Sequence, residues 1–169
     1  MGEIVRNVRV VLGIVGVLAM IAVAGCTAPS GSAPPASAAA AGTNADGLTA
    51  FQVEHGIGPV TAPVALDGSI DKAMAKSGAE VFEQKCSACH RMDERYVGPA
   101  LGDVTKRRSP SFVMNMVLNP QEMIEKHPVT RKLLAEYLVA MPNQNLSQDD
   151  ARQVLEYLRT QTIGNNRSH

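Results

Sequence analysis

Apolar positions recur at helical rather than strand spacing through the second half of the chain. Ile70, Met74, Ala75, Val81 and Phe82 fall on one face between Ile70 and about Lys85, which predicts a helix. Ser109-Pro110 reads as an N-cap followed by a first-turn proline, and Phe112, Val113, Met116 and Val117 then form one stripe. Asn119-Pro120 repeats that start for a short helix through about Glu125. His127-Pro128 opens another, carrying Leu133, Leu134, Tyr137 and Leu138. Ser147-Gln-Asp-Asp150 has the form of a capping box and leads into a last helix with Ala151, Val154, Leu155 and Leu158 on one face. No segment alternates with period two. The pattern predicts an all-α domain of four to five short helices over residues 69–163, with a disordered tail at 164–169.

Upstream the pattern dissolves. Residues 48–68 are apolar but broken by Gly56, Gly58, Pro59 and Pro63, and read as an extended arm lying on the domain, with His55 a surface polar residue. Residues 26–47 are Ala, Ser, Pro, Gly and Thr with a single charge, Asp46. That composition buries too little apolar surface to offset its ordering entropy and reads as a flexible tether. Residues 1–25 follow the order charged, apolar, small: Arg6 and Arg9, then Val10 to Ala24, then Val23-Ala24-Gly25-Cys26. This is the layout of a secretory signal, and its apolar run is shorter than the roughly 20 residues of a spanning helix. Val-Ala-Gly-Cys resembles a bacterial lipobox. The resemblance implies a mature chain beginning at a lipidated Cys26, anchored to a bacterial membrane and facing the periplasm or cell exterior.

Charge is balanced at 16 basic and 16 acidic residues, which removes the strongly basic footprint of a nucleic-acid binder. Trp is absent and aromatics are scarce, so a core of Leu, Val, Met and Ala has use for another large apolar body. The three cysteines, Cys26, Cys86 and Cys89, cannot all pair, and each needs its own explanation.

Cys86-Ser87-Ala88-Cys89-His90 supplies it for two of them. On a helical turn, i and i+3 project from the same side, so both thiols can add to the two vinyl groups along one edge of a haem. His90 follows directly, where its imidazole can take the iron. The spacing therefore predicts one covalent haem c held by Cys86, Cys89 and His90. Two other readings compete. A zinc site would require a fourth ligand such as His127, and the spacing is not a usual zinc one. A thioredoxin-type dithiol belongs after a strand, whereas the segment before Cys86 is helical.

The second axial ligand has five downstream methionine candidates. Met92 is too near the proximal side. Met114 and Met116 sit in a stripe that reads as core, and Met123 stays open on its short helix. Met141 stands just past a helix, before Pro142 and an Asn-Gln-Asn loop, where a loop can hold a thioether against a haem face.

Residues from about Gly78 to Thr160 resemble a class I c-type cytochrome. Gly78 and Phe82 match the glycine and aromatic of that family's first helix, Gly98-Pro99-Ala-Leu101 its Gly-Pro-x-Leu segment, Met141-Pro142 its ligand loop, and Tyr157-Leu158 the aromatic-Leu pair of its last helix. The resemblance implies that first and last helices cross at Gly78 and that the Pro99 carbonyl accepts a hydrogen bond from His90. It also implies that Arg107, flanked by Lys106 and Arg108, lies near a haem propionate, and that His90 and Met141 are the iron ligands. Asp93-Glu-Arg-Tyr-Val-Gly-Pro-Ala, Lys106-Arg-Arg-Ser-Pro and the stretch Leu134 to Leu146 are similar to mono-haem lipoprotein cytochromes associated with bacterial nitrous oxide reductase systems, although Met141-Pro142 departs from the Met-Ala expected there.

A six-coordinate haem has no open position for a substrate. The expected function is single-electron transfer between membrane or periplasmic redox protein partners, without enzymatic activity, nucleic acid or small-molecule substrate. Lys85, Arg91, Arg95 and Lys106-Arg107-Arg108 either steer an acidic partner or solvate helix faces. The rivals are a fixed electron-entry subunit of a respiratory complex and a five-coordinate haem sensor or peroxidase-like protein.

Overall fold

The computed structural model describes residues 42–165. The expected signal segment, the lipidation position Cys26 and most of the 26–47 tether lie outside the described residues, as do 166–169.

Where the extended arm is expected, the chain first makes a short helix. Thr49 and Gln52 each accept a hydrogen bond from the other's backbone N–H (3.2 and 3.0 Å), a reciprocal cap that starts α1 (Ala50–His55). Gly56 at φ +79° ends it, a left-handed position where an added Cβ would also strike Met123. Residues 57–71 then run without regular structure across the domain. Asp71 caps α2 (Lys72–Lys85) by accepting from the amides of Ala73 and Met74, both at 2.9 Å.

A single turn, α3 (Val104–Arg107), was not expected from the pattern. The next three starts are as the prolines place them: α4 (Pro110–Leu118), α5 (Pro120–Lys126) and α6 (Pro128–Tyr137). Ser109 Oγ accepts from Phe112 N at 3.2 Å, and His127 Nδ1 accepts from Val129 N at 3.2 Å. Each proline stands at N1, where its missing N–H would have had no helical partner. The capping box before α7 (Gln148–Asn165) is real: Ser147 Oγ accepts from Asp150 N at 3.1 Å and Asp150 Oδ2 from Ser147 N at 3.0 Å. This helix runs two residues past the expected domain end at 163. The described residues thus form seven helices and no strand, an all-α fold with two more short helices than expected.

Gly78 sets the central crossing. A Cβ there would overlap the Gln153 carbonyl, so α2 and α7 approach backbone to backbone. Ala75, Phe82, Ala151, Val154, Leu155 and Leu158 close around that crossing, with Phe82 and Tyr157 ring centroids 5.3 Å apart. A second cluster of Leu48, Ile57, Phe112 and Met123 packs residues 48–60 onto α4 and α5. Polar bonds tie down the same strap. Asn115, fully buried on α4, accepts from Val60 N (2.9 Å) and donates to the carbonyls of His55 (3.0 Å) and Val60 (2.9 Å). His55 is no surface residue: its ring lies against Phe51, and Nδ1 shares a 2.8 Å hydrogen bond with Ser109 Oγ. No helix among the described residues is long and apolar enough to cross a membrane.

Candidate functional site

An apolar cavity of about 200 Å³ opens between these elements, far larger than the voids that close-packed interiors leave. Phe82 from α2, Val113, Met116 and Val117 from α4, Leu133, Leu134 and Tyr137 from α6, and Val154 and Leu158 from α7 form most of its wall. The remainder is the turn after α2 with Cys86, Cys89 and His90, the segment Val97–Leu101, and the loop Val139–Pro142.

The turn is built locally. Cys89 N and His90 N both donate to the Cys86 carbonyl (3.0 and 2.9 Å), which folds the thiols and the imidazole onto one side. Gly98 N donates to Cys89 O at 2.8 Å and closes the following loop. The His90 ring is gripped from there: Nδ1 donates to the Pro99 carbonyl at 3.0 Å, and a Cβ on Gly98 would sit 2.5 Å from the ring. With Nδ1 carrying the proton, Nε2 keeps its lone pair, and it has no hydrogen-bond partner among the described residues. Burial lowers the pKa of His90, and the bond to Pro99 opposes that shift in part, so the ring is neutral and able to ligate at neutral pH. Burial, and then the neighbouring Cys89, push the Cys86 thiol up to about 11.

Of the five methionines, only Met116 and Met141 reach the cavity. Met92 packs on the core behind the turn, Met114 is buried in α4, and Met123 is fully buried with its sulfur 3.0 Å from Ile57 N. Met116 leans on the cluster under the strap, whereas Met141 packs on the cluster that contains Cys86. Arg107 lines the cavity, with Nε on Asp103 (2.8 Å) and Nη2 on the Ala100 carbonyl (2.8 Å); Arg108 lines it too, and Lys106 does not. His127 is elsewhere. It is buried edge-on to Phe112 (ring centroids 5.1 Å apart), with Nε2 donating to the Val53 carbonyl at 3.2 Å. It cannot complete a zinc site with the cysteines, and no three His, Cys, Asp or Glu side chains among the described residues converge on a metal position.

Residues 75–162 match the model of the cytochrome c family. The chain belongs to the cytochrome c family. A cytochrome c-553-like protein of Synechocystis is 31% identical over 84 residues, 47% of this chain and 75% of that relative. The solved cytochrome c of Rhodothermus marinus is 48% identical, with a TM-score of 0.64 over 67% of this chain and 97% of its own. An engineered form of that protein matches at 47% identity and a TM-score of 0.63, over 66% of this chain and 96% of its own.

A cytochrome c binds one covalent haem c and carries electrons, and the cavity of this one fits the group. Its walls are apolar, two free thiols stand on one turn, and a neutral imidazole offers an unshared nitrogen. A thioether is neutral and suits the buried position of Cys86. The cavity-lining side chains of α6 were legible only as an apolar stripe. Nothing in that stripe says which body it faces.

Proposed function

We propose that this cytochrome c is a lipid-anchored single-electron carrier with one His/Met-ligated haem. Cys86 and Cys89 hold the group through thioethers, His90 and Met141 ligate its iron, and Arg107 with Arg108 offers cations to the propionates. Pro99 and Gly98 keep the His90 ring from rotating and fix its tautomer, which holds its basicity constant. Haem c supplies the one-electron couple, and a thioether ligand raises its potential. The apolar wall from α4, α6 and α7 excludes water, so little rearrangement accompanies a change of charge. The observation that carries this reading is one apolar cavity whose wall brings Cys86, Cys89, His90 and Met141 together.

The membrane attachment rests on Val23-Ala24-Gly25-Cys26 behind its apolar run, with 1–25 removed and 26–47 as tether. Delivery of electrons to a nitrous oxide reductase rests on the similarity of Asp93 to Ala100, Lys106 to Pro110 and Leu134 to Leu146 to cytochromes of such systems.

Two experiments test the ligation. Acid–acetone extraction should leave the pigment on the polypeptide. The near-infrared thioether-to-iron band should vanish in Met141→Ala and survive in Met116→Leu. Loss of the band in Met116→Leu alone would move the ligand to α4, and free sulfhydryls at Cys86 and Cys89 in the mature protein would end the haem c assignment.

A further inference from the structure

Met141 sits on a stretch with little to hold it. From Val139 to Leu146 the chain has no regular structure, and among the described residues its hydrogen bonds are internal. Gln144 Nε2 donates to the Pro142 carbonyl at 3.2 Å, and Asn145 N to Asn143 Oδ1 at 2.7 Å. Met141 and Leu146 pack on the core cluster, whereas Val139, Ala140 and Pro142 are exposed. The helix before this loop also stops abruptly. Leu138 takes a left-handed backbone (φ +59°) with its N–H on the Leu134 carbonyl at 2.8 Å, which leaves the carbonyls of Ala135, Glu136 and Tyr137 without a helical partner.

Arg95 reaches that end from the loop after the Cys86–His90 turn. Its Nη2 donates to the Glu136 carbonyl at 2.9 Å, and its guanidinium lies 4.1 Å from the centroid of the Tyr137 ring, which is part of the cavity wall. A cation here also meets the negative end of the α6 dipole. The ion pair with the Glu136 carboxylate, 3.4 Å long between two half-exposed side chains, adds little. The loop that carries Arg95 is itself well fixed. Tyr96 N donates to the Gly98 carbonyl at 3.1 Å and Leu101 N to the Arg91 carbonyl at 2.9 Å. Arg91 lies 4.2 Å from the Tyr96 ring centroid while donating to the Ser87 and His90 carbonyls.

We infer that Arg95 is a positioning residue for the Met141 ligand: it ties the end of α6 to the His90 side of the cavity and so keeps the Met141 loop shut. The inference deepens the His/Met reading and rests on it. Without the tie, the last turn of α6 frays first and Val139–Pro142 follow, since no other polar contact holds them to the domain. Arginine suits the task because one planar fork serves the carbonyl with an N–H edge and the Tyr137 ring with its face. Lysine has a single point charge and has to choose between them.

The test uses the full haem-loaded protein in its ferric form and neutral imidazole as the probe. Imidazole takes the iron position only when Met141 has left it, so its affinity reads how often the loop opens. Loss of the near-infrared thioether band follows the titration. Arg95→Ala should bind imidazole about tenfold tighter, the effect expected from losing one charge-assisted hydrogen bond and one exposed cation–π contact. Arg95→Lys should fall between that variant and the wild type. Glu136→Gln, which keeps the carbonyl and removes only the ion pair, should bind as the wild type does. So should Asp71→Ala, which removes the cap of α2 and destabilises the domain without touching α6. Wild-type affinity in Arg95→Ala, or an equal gain in Glu136→Gln or Asp71→Ala, overturns the inference. A wild-type spectrum without the thioether band would instead refute the His/Met reading. Exchange of the Leu138 amide proton would still decide the tie: it should be faster in Arg95→Ala, and an unchanged rate overturns it.

Discussion

Replacing Gly78 by alanine sets two effects of opposite sign against each other. In a helix interior alanine is favoured over glycine by about 1 kcal/mol, so α2 alone would gain. The new Cβ, however, would overlap the backbone of Gln153, which cannot rotate away as a side chain could. Relief requires α7 to retreat from α2 by roughly an ångström, and a gap of that size forfeits a quarter to a half of the contact energy across it. Phe82, Val154, Leu155 and Leu158 sit at the crossing, each worth about 1.5–3 kcal/mol when fully buried. Losing a third of that over three of them costs ~1.5–3 kcal/mol, and overpacking strain adds a further ~1 kcal/mol or more. The net expectation for Gly78→Ala is a loss of about 2–3 kcal/mol, or a Tm lower by roughly 10 °C for a domain of this size. Urea unfolding of the haem-loaded protein, followed by far-ultraviolet circular dichroism, measures it. Phe82, Val154 and Leu158 also line the cavity, so the visible spectrum should change in the same variant. An unaltered or raised midpoint would refute the argument, because the helix-propensity gain would then have outweighed the crossing.

Three further outcomes are expected. Asn115→Ala leaves Val60 N and two strap carbonyls without their partner, at a cost of about 3 kcal/mol, and amide exchange at Val60 should rise before that of α7 does. His127 is buried neutral, its pKa lowered from 6.5 by burial first, a shift that the backbone hydrogen bonds to Val53 and Gln52 and the Asp46 carboxylate oppose and Arg108 reinforces. A histidine depressed in this way contributes stability that is present above 6.5 and lost as pH falls from 6.5 toward its folded pKa, so the slope of unfolding free energy against pH in that window should shrink in His127→Asn. Ser147→Ala removes one half of the box before α7 and should cost about 1 kcal/mol in the same urea assay, with no effect on the spectrum.

The elements the sequence announced are those whose start signals are local. Ser109-Pro110, Asn119-Pro120, His127-Pro128 and Ser147 to Asp150 each place cap and first turn within four residues, and each helix begins there. The turn of Cys86, Cys89 and His90 is local in the same sense. What escaped notice is short or depends on distant partners. Thr49-Ala-Phe-Gln52 carries a cap pattern that announces α1, but Gly56 and Gly58 conceal it, since they look like breaks until Asn115 and Met123 are seen filling the space beside them. α3 is one turn with no side-chain cap. His55 and His127 read as surface or ligand residues because the groups that satisfy them, Ser109 Oγ and the Val53 carbonyl, lie more than fifty residues away. Among the methionines, spacing left Met123 open, and only its burial against Ile57 removes it from the cavity.

The strap has a mechanical consequence. Tension arriving along the chain from before residue 42 passes first through Asp46 on Arg131, the Val53 carbonyl on His127 and the grip of Asn115 on Val60. These links anchor to α4 and α6 and act as a strain relief. A pull has to peel them one after another before it reaches α2, so the turn carrying Cys86 and Cys89 stays unloaded while the leading end of the domain is tugged about.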